Sequence, residues 1–125
     1  MIPDMTGKTV EIMRYNYCLS LWTADNWQLD LAGETTLQVD GQAPVAVDTE
    51  LCQDELTDDV RPLLGKVITS VSVSPEGDLD IEFDDARLSV SAGYDYEAWQ
   101  LSGPNGEKVI CMPGGELAIW GPRTA

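Results

Sequence analysis

Four carboxylates stand at every second position of one short segment, and the residues between them are apolar. This alternation predicts a β-strand with one acidic face, on which successive carboxylates lie about 6.5–7 Å apart. Like charges in line destabilise a sheet, so the pattern indicates a docking face for a cationic partner. A solvated stripe in an acidic protein is the alternative interpretation. The residues of this acidic stripe are Asp78, Asp80, Glu82 and Asp84.

The strands on either side of the stripe are expected to place small hydroxyl groups beside the carboxylates. Arg87, opposite Asp84, is the one cation that the expected register brings near them. The serines expected on the neighbouring strands are Ser70, Ser72, Ser74, Ser89 and Ser91.

A second group of acids precedes a segment with helical spacing. Apolar residues recur at three- and four-residue intervals up to Gly65, which is placed to end a helix, while Pro62 limits its length. We therefore predict one short helix, or two short pieces, between residues 48 and 65. The acids suit a helix N-terminus or solvent, and they can extend the docking surface. They are Asp54, Glu55, Asp58 and Asp59.

Metal and catalytic motifs are not recognisable in the chain. The run from Asp78 to Glu82 resembles a calcium loop, but Phe83 stands where that loop needs glycine. Histidine is absent and no Cys-x-x-Cys occurs, which excludes histidine-dependent catalysis and the common zinc patterns. A carboxylate pair for glycoside hydrolysis stays open, because distances in space cannot be read from sequence. We expect no enzyme activity, no cofactor and no metal.

The net charge of −15, from 22 acidic and seven basic residues, bears most directly on partners. Such a chain repels nucleic acids and anionic membranes and attracts basic proteins. Solubility alone is the other explanation of the acidity. The N-terminus does not resemble a signal peptide, and no apolar run approaches membrane-spanning length. The three cysteines are expected to be reduced core thiols, which suggests a cytoplasmic location.

The length of 125 residues fits a single domain, with residues 1–8 as a loose lead-in. Residues 9–17 are expected to form a strand, residues 18–23, 27–31 and 35–39 a three-stranded meander, and residues 44–47 an edge strand. A second meander contains the acidic stripe, with Phe83 facing Leu88, Ile81 facing Val90, and Val71 facing Ile81. The predicted fold is mainly β with one short helix, its antiparallel meanders forming a sandwich or an open barrel or roll.

Two glycine turns, at residues 103–106 and 113–115, divide the C-terminal quarter into three short strands. Residues 109–112 and 117–120 are almost free of polar side chains, so we expect them in the middle of the protein, covered on both faces. The tryptophans are expected either in the core and at its rim or in the wall of a ligand pocket. They are Trp22, Trp27, Trp99 and Trp120.

The C-terminal half resembles an uncharacterised family of small acidic bacterial proteins of the actinomycete type. The resemblance implies a shared β-fold and brings no assigned activity. It includes a hairpin from Gly77 to Leu88. Its closing signature is carried by Tyr96, Glu97, Trp99, Gly103, Pro104, Gly106, Cys111, Pro113, Gly114, Gly115, Leu117, Ala118 and Trp120.

These observations predict a non-enzymatic protein that binds a basic protein through the acidic stripe and the acids of residues 54–59. An immunity or antitoxin-like role is the specific version, by analogy with other small acidic proteins. Two alternatives are a small-molecule carrier with a tryptophan-lined pocket and a structural homodimer formed through edge strands.

Overall fold

The computed structural model describes residues 3–122, which form two antiparallel β-sheets. The only helical element in that range is a 3₁₀ turn at Arg61–Leu63. The strands are β1 Val10–Asn16, β2 Leu19–Thr23, β3 Gln28–Leu31, β4 Thr35–Val39, β5 Val45–Val47, β6 Cys52–Gln53, β7 Ile68–Val73, β8 Leu79–Phe83, β9 Ala86–Val90, β10 Trp99–Ser102, β11 Lys108–Cys111 and β12 Leu117–Trp120.

The two sheets pack as a sandwich, which confirms the mainly-β prediction and decides against the barrel. One sheet has seven strands in the order β12-β11-β10-β3-β2-β1-β6, and the other has five in the order β5-β4-β9-β8-β7. Apolar side chains from both sheets form one hydrophobic core, in which Leu19, Leu31, Ile81 and Leu88 are at most 1% exposed. No helix in residues 3–122 is long and apolar enough to cross a membrane.

Strand β8 has the two faces that its alternation predicts. Leu79, Ile81 and Phe83 are buried, and Val71 faces Ile81 across the β7–β8 pair. The predicted β8–β9 register is wrong by two residues, because Asp84 and Asp85 alone form the turn and β9 begins at Ala86. Ile81 therefore faces Leu88, and Glu82 faces Arg87. A shift of two residues keeps every side chain on its predicted face.

The predicted meander of residues 18–39 is correct for its first two strands and wrong for the third. β2 pairs with β3, but the free edge of β3 is taken by β10, and β4 joins β5 and β9 in the other sheet. The chain changes sheets at Gly33, where a Cβ atom would lie 2.6 Å from the carbonyl oxygen of Ser91. Only glycine fits this crossing.

The predicted helix between residues 48 and 65 is absent. Pro62 lies inside the 3₁₀ turn, and the Asp59 carboxylate accepts the amide N–H of Val60 at 2.9 Å. A side chain that bonds the local backbone competes with helical hydrogen bonds, and proline removes a donor. Val60 and Leu63 still reach the core, whereas Leu64 is 40% exposed.

Both ends of the chain differ from expectation within the described range. Of the predicted loose segment, residues 1–2 lie outside the described residues, but Met5 is 1% exposed and Gly7 donates to the Ile68 carbonyl at 2.8 Å. At the other end, β12 is an edge strand, and Ile119 and Trp120 are about half exposed instead of covered. A sheet of seven strands must end somewhere, and apolar composition alone does not say which strand is last.

Two hairpin loops, one from each sheet, meet at one end of the sandwich. Gly77 follows the β7–β8 turn and Gly115 lies in the β11–β12 turn, and both have φ near +90°. A Cβ atom on either residue would approach the other loop's backbone to less than 3.0 Å. The indole N–H of Trp99 donates to the Gly77 carbonyl at 2.9 Å. These contacts fix the C-terminal hairpin against the five-stranded sheet.

Candidate functional site

The acidic stripe lies on the outer face of β8, where most of its carboxylates already have partners. The Ser89 hydroxyl donates to Asp80 at 2.6 Å, and the backbone N–H of Ala92 donates to Asp78 at 2.8 Å. Asp84 is exposed in the turn after β8. The carboxylates of Asp78 and Asp80 are therefore used to stabilise the sheet and its connections.

Glu82 is the stripe residue that has a cation beside it. Arg87 lies opposite Glu82, not opposite Asp84 as predicted, and its Nη2 is 2.5 Å from Oε1. The Ser70 hydroxyl donates to the other carboxylate oxygen at 2.9 Å. The Arg87 guanidinium, followed by this hydroxyl, lowers the pKa of Glu82, and Glu82 in turn raises the pKa of Arg87. Of the serines expected beside the stripe, Ser70 and Ser89 bond its carboxylates, and Ser74 accepts the backbone N–H of Asp78.

The four acids of residues 54–59 lie in a loop and not on a helix. Asp58 forms an ion pair with Arg61 at 2.6 Å, and Asp59 accepts hydrogen bonds from Thr57 and from the Val60 backbone. Glu55 is exposed. Asp54 directly follows β6 of the seven-stranded sheet, whereas the acidic stripe lies on β8 of the five-stranded sheet.

The outer face of the seven-stranded sheet carries a groove of about 880 Å³ that the sequence did not reveal. Outward side chains of β1, β2, β3 and β10 line it, because alternate residues of each strand point away from the core. The strand register places four of them in one row across the sheet: Arg14 beside Ser20, Ser20 beside Asp30, and Asp30 beside Gln100. Trp22 and Gln28 line the groove next to this row.

Asp30 lies in the middle of this row and is held by three donors. Oδ1 accepts the Ser20 hydroxyl at 2.5 Å and the Gln28 amide at 2.9 Å, and Oδ2 accepts the Gln100 amide at 2.9 Å. No lysine or arginine of the described chain forms an ion pair with it. A carboxylate has about four acceptor positions, so Oδ2 keeps one for a ligand.

The charges around the groove are mixed but mainly negative. Asp54 and Glu97 line it together with Asp30, and Arg14 is the one cation among the lining residues. Arg14 and Trp22 also line a smaller cavity of about 240 Å³ on the side of Ile12, so they form the wall between the two spaces. The groove thus combines an aromatic wall, an oriented carboxylate and amide groups. This combination can bind a cationic or hydrogen-bonding ligand.

The four tryptophans do not form one wall. Trp22 and the buried Trp99 contribute to the groove, whereas Lys8 Nζ lies 5.2 Å from the ring centre of Trp27. Trp120 is 53% exposed at the sheet edge. The expectation of core and rim positions is confirmed for Trp99 and Trp120.

The three cysteines are free, but only Cys111 is a core thiol as predicted, and burial raises its pKa. Cys18 is half-buried and Cys52 exposed, and both line the groove. Asn16 pairs with Cys52 of β6, and its N–H donates to the carbonyl of Cys18, which lies in the turn between β1 and β2.

The groove was missed because Asp30 and Gln100 are 70 residues apart in the chain. The alternation in residues 18–23 and 27–31 was a usable signal, since it puts Ser20, Trp22 and Asp30 on positions that point away from the core. Nothing local indicated that β10 would complete the row.

Comparison with known proteins gives a family and no activity. A family model described as a family of unknown function, DUF6188, matches residues 1–121. The chain belongs to this family. The match covers nearly the whole sequence and agrees with the expectation of an uncharacterised family. No curated protein and no solved structure matches the chain.

Proposed function

We propose that this DUF6188 member is a non-catalytic binding protein that receives a basic segment of a partner protein in the groove of the seven-stranded sheet. The observation that carries the proposal is the Asp30 carboxylate, which three donors orient and no cation of the described chain neutralises. A lysine or arginine of the partner is the complement of this site. The groove therefore replaces the acidic stripe as the contact surface.

The charge of the whole protein supports a basic partner. Four of the 22 acidic residues form ion pairs within residues 3–122, which leaves 18 without one. This excess creates a negative field that attracts cationic proteins and speeds their association at low salt. In this proposal, the acidic stripe contributes to the long-range field while the groove makes the specific contacts.

The lining of the groove suits a cationic side chain in two ways. Trp22 lines the groove, and a guanidinium that lies over an indole ring gains about 0.5–2 kcal/mol. The free acceptor position of Asp30 Oδ2 can take one of its N–H groups. Arg14 repels such a ligand, so the cation would lie on the Asp30 and Glu97 side of the groove.

The setting that we propose is the bacterial cytoplasm, where an immunity or antitoxin-like protein neutralises a basic toxin. The three free cysteines support a reducing compartment. A small polar molecule is the second candidate ligand, because the volume of the groove lies in the range of about 300–1,000 Å³ typical of ligand pockets.

Replacing Asp30 tests the proposal directly. Asp30→Asn keeps the shape of the side chain and removes its charge, so a fluorescein-labelled oligo-arginine peptide should bind about tenfold more weakly. Arg14→Gln should strengthen binding, because it removes the one repelling charge in the groove. Fluorescence anisotropy at ionic strengths of about 0.01 M and 0.15 M measures both effects, and binding to every form should weaken as salt rises.

Asp84→Asn is the matched control, since it changes the net charge by the same amount on the opposite sheet. It should alter the affinity about twofold or less, as an exposed charge acts only through the screened field. Equal losses for Asp30→Asn and Asp84→Asn would refute a specific groove site. A larger loss for Asp84→Asn would return the docking surface to the acidic stripe.

A further inference from the structure

Strand β12 presents unpaired backbone groups along the outer edge of the seven-stranded sheet. The amide N–H of Met112 donates to the Glu116 carbonyl at 2.7 Å. This hydrogen bond determines which backbone groups of β12 point toward β11. Backbone groups alternate in direction along an antiparallel strand, so Ala118 and Trp120 bond β11. Leu117 and Ile119 direct their N–H and C=O groups outward, where no strand of residues 3–122 pairs with them.

The other three sheet edges are protected in ways that natural β-proteins commonly use. β5 has three residues and follows Pro44, and β6 has two residues. β7 contains a register shift, and residues 6–9 run beside its start, with Thr9 bridged to Val67. β12 has no register shift along its pairing with β11, and no proline or lysine occurs within it.

Apolar side chains on both faces of β12 are exposed at the same edge. Ile119 is 45% exposed and Trp120 is 53% exposed, and in a strand they point to opposite faces. An unprotected, straight and apolar edge strand is a template for another strand. The backbone and the side chains of β12 therefore indicate the same kind of contact.

The charge distribution favours a second copy of this chain as the occupant. Residues 99–122 contain two acids, Glu107 and Glu116, and one base, Lys108, so they contribute one of the 15 net negative charges. Two copies can meet at this end with little repulsion, whereas their other surfaces repel each other. Physiological salt screens the remaining charges beyond about 8 Å.

We infer that two copies associate through β12, antiparallel about a two-fold axis at Ile119, so that their seven-stranded sheets join into one. In this register, Ile119 lies opposite Ile119 of the second copy, and Trp120 lies across from Ala118 of the second copy. The N–H and C=O groups of Leu117 and Ile119 gain partners, and both exposed apolar side chains are covered. The interface is isologous, as a two-fold dimer requires.

Sedimentation of the full chain, over a range of protein concentrations at physiological salt, tests this inference. We expect a monomer–dimer equilibrium that Ile119→Lys weakens about tenfold or more, since a lysine at an edge strand opposes strand addition. Ile119→Pro should also weaken the dimer, because it removes the N–H that would bond the second copy. That N–H points away from β11, so the pairing of β12 with β11 is kept. The amides of Leu117 and Ile119 should become protected from hydrogen exchange as the wild-type protein dimerises.

Val45→Lys is the matched control, because Val45 is 48% exposed on the edge strand β5. It should leave the dimer intact. A wild-type protein that stays monomeric at all concentrations would overturn the inference, as would a dimer that resists both Ile119 variants. Dimerisation should persist when salt is raised, unlike oligo-arginine binding, so either proposal can fail without the other.

Discussion

Gly115→Ala is expected to lower the free energy of unfolding by about 2–5 kcal/mol, because an alanine there meets backbone that cannot move aside. Gly115 has φ +93°, and its Cβ would overlap the carbonyl oxygen of Glu76 in the facing hairpin loop. The chain would have to separate the two loops, which also strains the hydrogen bond from Trp99 to the Gly77 carbonyl. Urea denaturation followed by circular dichroism measures the loss.

A comparison of Gly114→Ala with Gly115→Ala separates the steric clash at Gly115 from the backbone strain that both variants share. Gly114 has φ +90°, nearly the same as Gly115, but no atom lies within 4 Å of its Cβ position. This variant should lose only about 1–2 kcal/mol, the cost of a left-handed conformation for a residue with a side chain. If the two substitutions destabilise the protein equally, then the contact between the two hairpin loops does not exist as described.

Trp99→Ala is expected to cost about 3–5 kcal/mol, the usual effect of deleting a large aromatic side chain from a core. Trp99 is 2% exposed, and its indole N–H donates to the Gly77 carbonyl at 2.9 Å. Trp99→Phe keeps most of the apolar surface but removes this donor, and it should cost about 1–3 kcal/mol. Circular dichroism is the suitable signal, because the substitutions change the tryptophan fluorescence itself.

Trp120→Ala is the matched comparison for Trp99, since Trp120 is 53% exposed at the end of β12. At protein concentrations low enough to keep the chain monomeric, it should change stability by about 0.5 kcal/mol. A loss for Trp120→Ala as large as that for Trp99→Ala would contradict the placement of β12 at the sheet edge.

The sequence was informative wherever the fold depends on local alternation. The period of two residues in β8 identified Leu79, Ile81 and Phe83 as core residues, and a register error of two residues did not move them. Glycine turns located the C-terminal hairpins for the same reason, because a positive φ is a local requirement.

The sequence was uninformative about which sheet a strand joins and which strand is last. The alternation in β4 predicts a buried Leu37 whether β4 pairs with β3 or with β9, so it fits both topologies. The row containing Asp30 depends on the pairing of β3 with β10, which no local pattern encodes. The helix was predicted from the apolar spacing of Val60 and Leu63. In the structure two local effects prevent it, because the Asp59 carboxylate bonds the backbone and Pro62 lacks an N–H donor.

The central claim is that a basic ligand contacts the groove around Asp30, and a nuclear magnetic resonance titration locates that contact most directly. The ¹⁵N-labelled protein would be titrated with an unlabelled oligo-arginine peptide at physiological salt. We predict that the largest shifts occur at the indole N–H of Trp22 and the side-chain amides of Gln28 and Gln100, and that Asp30→Asn needs about tenfold more peptide to produce them. Shifts concentrated at Ser70, Arg87 and Ser89 beside the acidic stripe, or spread evenly over the surface, would contradict the account.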